Sequence, residues 1–161
     1  METIIEIKDV DFSYRNNTVL EKVNLEIEKE DFTAFIGPNG SGKTTLMELI
    51  VGNLKPERGI ITLFGENSDK YKKWKNISYI PQKVKDFNKS FPATVKEIIA
   101  SDLYQKMGFI KIMTEDIEGR IKEVLDLVGM GEYKNRKIGN LSGGQQQRIF
   151  LARSLSSNPE V

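Results

Sequence analysis

The sequence predicts an α/β fold in which a phosphate-binding strand–loop–helix core carries an N-terminal antiparallel β subdomain and a helical insertion. Three observations predict it. Apolar residues alternate with polar ones at Ile5, Ile7, Val10, Phe12 and Tyr14, and again at Val23, Leu25 and Ile27, the period of a half-buried strand. The run FTAFIG, Phe32 to Gly37, is almost continuously apolar and ends in a glycine-rich loop, which suits a strand buried on both faces as in a parallel sheet. From about Val84 onward the apolar spacing becomes helical.

Each element has a local reason. RNNT, Arg15 to Thr18, is a turn signal because adjacent asparagines tolerate unusual backbone angles, and EKED, Glu28 to Asp31, makes the next turn. After the glycine-rich loop, Leu46, Met47, Leu49 and Ile50 give a short helix that stops near Gly52 and Pro56. GIITLFG and ISYIPQ follow as two further strands, the second ending at Pro81. TVKE, Thr94 to Glu97, has the spacing of a capping box, and Val95, Ile98, Ile99 and Leu103 mark one apolar helix face. A second helix runs from about Glu115 with Ile117, Ile121, Val124, Leu125 and Val128 inward, acidic residues in its first turn, and Gly129 as its stop. A last helix starts near Ser142, carries Ile149, Phe150, Leu151, Ala152 and Leu155, and ends at Asn158-Pro159.

Composition narrows the chemistry. The 161 residues carry a formal net charge of +1, so no strong field favours nucleic acid, and the basic run Lys70 to Lys75 reads as a solvated face beside Glu66 and Asp69. There is no cysteine and no histidine, which removes disulfides, thiolate metal sites and imidazole bases from the chain. No apolar run approaches the roughly 20 residues of a membrane span. Met1 to Asp9 alternates apolar and acidic residues instead of forming a leader. A soluble protein is expected, with any membrane role exercised through a partner.

Two motifs carry the function. Gly37, Gly42, Lys43 and Thr44 fit G-x-x-x-x-G-K-[ST], the P-loop of a P-loop NTPase core. Glycines let successive backbone N–H groups turn toward phosphate oxygens, and the helix that starts at Lys43 adds its partial positive end. Lys43 reaches the terminal phosphates, and the Thr44 hydroxyl is placed to coordinate Mg²⁺. LSGGQQQR, Leu141 to Arg148, is a second loop that opens a helix, with Ser142 as N-cap and Gly143 and Gly144 leaving the amides uncovered. Alone, this second loop is weak evidence for anion binding and reads better as a plain helix cap.

Together, GPNGSGKTT and LSGGQ resemble the Walker A loop and signature motif of the nucleotide-binding domain of ATP-binding cassette (ABC) transporters, and the resemblance spans essentially the whole chain. It implies an ABC ATPase fold, incomplete at the C-terminus, with residues 1–83 forming the β subdomain and P-loop part of the core. Residues 84–140 would form the Q-loop region and helical subdomain, and 141–161 the signature and its helix. It also implies ATP and Mg²⁺ as cofactors. Gly37, Pro38, Asn39, Gly40, Ser41, Gly42, Lys43, Thr44 and Thr45 would hold the phosphates, and Tyr14 would stack on adenine. Lys43 and Gln82 would be catalytic, Thr44 and Gln82 would contact Mg²⁺, and Leu141, Ser142, Gly143, Gly144 and Gln145 would close on ATP held by a second copy. Such a head-to-tail homodimer sandwiches two nucleotides.

The chain departs from the family in one respect. A P-loop ATPase needs a carboxylate at the end of a buried strand, followed in ABC proteins by a glutamate base, and no stretch here reads as four apolar residues then Asp-Glu. The family places that strand where SSNPEV ends the sequence, so the resemblance implies the N-terminal part of a longer cassette, inactive in hydrolysis by itself. FNKSFPATVKEII, Phe87 to Ile99, is similar to importers of divalent metals such as zinc or manganese. The implied partners are transmembrane permease subunits and, indirectly, an extracellular solute-binding protein, with no nucleic acid; the implied location is cytoplasmic, peripheral on the inner face of the membrane. A soluble non-transport ABC ATPase and a hydrolysis-incompetent fragment are the alternatives.

Overall fold

A computed structural model describes residues 2–81, 91–104 and 114–161, which fall into two compact units, Met1–Trp74 and Lys75–Val161. The first unit is built on a four-stranded antiparallel sheet. Its strands are β1 (Thr3–Tyr14), β2 (Asn17–Glu28), β3 (Arg58–Leu63) and β4 (Glu66–Asn67), in the spatial order β2-β1-β3-β4. Helix α1 (Lys43–Ile50) connects β2 to β3 in sequence. Ile5, Ile7, Val10 and Phe12 of β1, and Ile61 and Leu63 of β3, are buried, as their alternation requires.

The alternation is not uniform along β1. Between Ile7 and Val10 an extra residue intervenes, and the register to both neighbours shifts there, with Asp9 at φ 48°. This bulge keeps Val10 on the core face. Its partner strand carries a similar irregularity at Lys22, φ 46°, where the Lys22 N–H donates to Asp11 Oδ1 at 2.6 Å. In the hairpin, the left-handed residue is Arg15, φ 57°, rather than an asparagine.

Two expected strands are not strands. Phe32 to Gly37 adopts no strand, and among the described residues no backbone hydrogen bond joins it to a neighbour. Phe32 is 98% and Ile36 94% exposed. The apolar pattern was sound, but a strand exists only as one of a hydrogen-bonded pair. Likewise Ile77–Pro81 is not a strand. Instead, the Ser78 N–H donates to the Val161 carbonyl at 2.7 Å, and the Val161 N–H to that of Asn76 at 3.0 Å, the pattern of one parallel bridge.

The second unit is helical: α2 (Val95–Tyr104), α3 (Glu115–Leu127) and α4 (Gly143–Ser156). One apolar cluster joins them, including Val95 and Ile99 from α2, Ile121 and Leu125 from α3, and Ile149 and Ala152 from α4. Caps fix the starts of the helices. The Glu97 N–H donates to Thr94 Oγ1 at 3.3 Å while the Thr94 N–H donates to Glu97 Oε2 at 2.7 Å, the expected reciprocal box. Thr114 accepts from the Ile117 N–H at the start of α3.

Polar contacts then fix the helices against one another. Arg153 of α4 makes a bidentate pair with Asp102 of α2, at 2.6 and 2.9 Å. Arg120 of α3 donates to the Leu155 and Ser156 carbonyls at 2.6 and 3.3 Å, satisfying acceptors that the end of α4 leaves open. Glu118 receives both Lys96 and Lys134, tying α3 to the first turn of α2 and to the turn after Gly131–Tyr133.

Two outcomes follow. Ile121 is fully buried at the centre of the helical cluster, so Ile121→Ala costs about 2–5 kcal/mol in urea unfolding. The lysine hydrogen bonds hold the Glu118 carboxyl below the usual glutamate range, those from Lys134 and then Lys96 contributing most. Its folded-state value lies below the unfolded one, so this contribution is complete above the usual glutamate range and is lost as pH falls through the folded-state value. Glu118→Gln therefore gives a stability that declines less steeply than the parent's on acidification below about pH 4.3, followed by thermal melting across pH.

Candidate phosphate-binding site

The loop from Gly37 to Thr45 ends at an unusual helix start. Gly42 is the N-cap of α1, in the left-handed region at φ 84°, and no side chain caps the helix. The first intrahelical bond runs from the Leu46 N–H to the Gly42 carbonyl, so no helical acceptor precedes it for the amides of Lys43, Thr44 and Thr45. Those donors, with the helix dipole behind them, suit an anion. Thr44 is exposed beside them and Thr45 is buried toward the core.

Lys43 is the cation of the loop. Its Nζ donates to the Gly37 carbonyl at 2.8 Å, the Pro38 carbonyl at 2.6 Å and Ser41 Oγ at 3.2 Å. The ammonium thus closes the loop on itself, and the Ser41 N–H to Pro38 carbonyl bond, 3.3 Å, tightens the same turn. Gly37, Asn39 and Gly40 are exposed around it. A triphosphate fits this donor set: bare amides, one ammonium held by replaceable neutral acceptors, and a free hydroxyl at Thr44.

Gly42 also explains how Tyr14 reaches the same neighbourhood. A Cβ on Gly42 would stand 2.7 Å from Leu20 Cδ2 and 3.2 Å from the Val19 carbonyl, so the start of β2 packs directly on the loop. Tyr14 lies across the same hairpin, paired with Asn17, 50% exposed and edge-on to Phe12 at 5.0 Å. Val19 and Leu20 are residues that the sequence reading did not single out. They read only as strand residues, and their contact with the loop is tertiary.

The second loop belongs to the other unit. Ser142 is the N-cap of α4: its Oγ accepts from the Gln145 N–H at 3.3 Å, and its own N–H donates to Gln145 Oε1 at 2.9 Å. Gly143 and Gly144 have ordinary negative φ, and a Cβ on either would meet nothing within 4 Å. Among the described residues, neither backbone strain nor packing calls for glycine there. Leu141 is buried beneath the loop, as is Gln146, whose role the sequence reading missed. Gln82 lies outside the described residues. Among those residues no cluster of acidic side chains is placed to hold a metal ion, and no helix is long and apolar enough to cross a membrane.

The ABC transporter family model matches residues 20–161, and the chain belongs to that family. Among curated proteins it is 47% identical over all 161 residues to the zinc uptake system ATP-binding protein ZurA of Listeria innocua serovar 6a. It is 40% identical over 158 residues to the high-affinity zinc uptake system ATP-binding protein ZnuC of Bacillus subtilis, covering 98% of this chain and 68% of that one. The chain spans 63% of the length of ZurA. Among solved structures, cbiO1 from Clostridium perfringens, part of the ABC transporter complex cbiONQ, matches with a TM-score of 0.81 at 24% identity, over 99% of this chain and 63% of that one. The fold is therefore that of the ABC ATPases.

The loop geometry sets a measurable cost. Gly42→Ala places a side chain at φ 84° against Leu20, which costs at least about 1–2 kcal/mol from the backbone conformation alone. Urea denaturation of the variant beside the parent reads it.

Proposed function

We propose that this chain is the nucleotide-binding part of an ABC importer ATPase that takes up a divalent metal ion, zinc or manganese. The observation that supports it most directly is the uncapped start of α1, with the Lys43 ammonium held only by neutral oxygens of its own loop. On ATP binding, Lys43 exchanges the Gly37 and Pro38 carbonyls for terminal phosphate oxygens, a charge-assisted replacement of neutral bonds. The amides of Lys43, Thr44 and Thr45 donate to the same phosphates, Tyr14 offers its exposed ring to the adenine, and the Thr44 hydroxyl with Gln82 holds Mg²⁺. Mg²⁺ held there would offset the negative charge of the phosphates.

Ser142, Gly143 and Gly144 serve the ATP of a second copy. The open space above both glycines supports this, because nothing among the described residues approaches the backbone at those positions. Each copy then contributes a Walker A loop to one nucleotide and a signature loop to the other. These 161 residues carry no Asp-Glu pair behind an apolar strand, so by themselves they hydrolyse ATP negligibly.

Zinc or manganese as cargo rests on the functions for which relatives are named, such as ZurA, ZnuC and the manganese transport system ATP-binding protein MntB of Bacillus subtilis, 34% identical over 158 residues. The metal is cargo for a transmembrane permease supplied by a solute-binding protein, and this subunit sits on the cytoplasmic face without touching it.

In the complete protein, Lys43→Ala removes ATP binding measured by fluorescent-nucleotide titration. Ser142→Ala leaves binding by a single copy in place and prevents ATP-driven pairing. A Lys43→Ala protein that binds ATP like the parent overturns the assignment of the loop. Cells lacking the gene should accumulate less zinc or manganese, and unchanged accumulation of both overturns the cargo.

A further inference from the structure

Gln146 is only 6% exposed, on the inward side of α4 just past the Ser142–Gln145 capping pair. Its Nε2 donates to the Ile138 carbonyl and to the Leu141 carbonyl, each at 3.2 Å. The first carbonyl opens the turn Ile138–Asn140, and the second belongs to the residue immediately before Ser142. Ile138, Leu141 and Ile149 are buried around it. A primary amide in such surroundings is costly unless bonded, and here it is bonded to two carbonyls. What the amide adds is direction, because it binds the backbone on which the loop is mounted.

We propose that Gln146 is the positioning residue of the signature loop, holding its backbone from beneath while the outer bracket opens. The bracket is exposed and weak on one side, with Gln145 N–H to Ser142 Oγ at 3.3 Å. An anion that takes the Ser142 hydroxyl and the loop amides displaces it, and the loop then needs another restraint to keep those donors aimed. Gln146 supplies that restraint, since the two carbonyls it holds, those of Ile138 and Leu141, are not donors that the anion would take. A pre-aimed donor set loses less freedom on binding and so binds more tightly. The inference rests on the reading that this loop meets the nucleotide of a second copy.

The test uses the complete protein, a non-hydrolysable ATP analogue, and four forms: parent, Gln146→Met, Ser142→Ala and the double variant. Single-copy nucleotide affinity is measured by titration at low protein concentration, and pairing by sedimentation. Gln146→Met keeps the volume and loses the donors. It should leave single-copy affinity within about twofold and weaken pairing about tenfold, the scale of one lost buried hydrogen bond. The double variant should match Ser142→Ala alone, with single-copy affinity kept and no pairing, because both changes act through one loop.

Pairing unchanged in Gln146→Met but lost in Ser142→Ala overturns the role of Gln146 and leaves the two-copy reading intact. Pairing unchanged in Ser142→Ala overturns the two-copy reading and this inference with it. Equal losses of single-copy affinity and pairing in Gln146→Met show a general structural role and also overturn it. If Gln146→Met does not fold, Gln146→Asn, which keeps the amide but is too short to reach both carbonyls, carries the same expectation.

Discussion

A helix begins with backbone donors that have no helical acceptor, and the chain meets that constraint in two ways. At α2, α3 and α4 a side chain turns back to supply the acceptor: Thr94, Thr114 and Ser142. At α1 the N-cap is Gly42, which has no side chain to turn. The deficit is left standing there, and a cation, Lys43, is parked beside it on neutral carbonyls. The signature loop combines the two solutions, since it is capped, but by an exposed bracket that an anion can replace.

Leaving donors open is useful only if the backbone that carries them stays put. Around α4 that firmness comes from polar contacts at both ends and on its flank. Arg120 satisfies its last carbonyls, Arg153 ties it to α2 through Asp102, and Gln146 ties its beginning to the preceding turn. The apolar cluster supplies most of the free energy and little direction, since burial is non-directional. Around α1 the equivalent support is the packing of Val19 and Leu20 on Gly42, which also brings the hairpin bearing Tyr14 to the loop.

Where one face is buried and the other wet, the sequence was readable. The alternation in β1 and β2 and the helical spacing in α3 follow directly from that contrast. Capping residues at Thr94 and Ser142 were legible because their chemistry is local. The bulges at Asp9 and Lys22 were not, because neither position carries the glycine that usually marks a left-handed residue. Phe32 to Gly37 was misread for another reason: its pattern specifies burial, but pairing requires a neighbour that no local pattern can supply. Gln146 hid inside a run of three glutamines. Its spacing from Ile149 and Ala152 on the buried face of α4 was the one signal that could have distinguished it from Gln147.

The bare stretch at Phe32 and Ile36 has a consequence for biosynthesis. Two large apolar side chains stand in water on backbone that has no backbone hydrogen-bond partner among the described residues, the combination that makes a chain prone to aggregation. Until it is covered, such a stretch is prone to associate with neighbouring chains emerging from the same message.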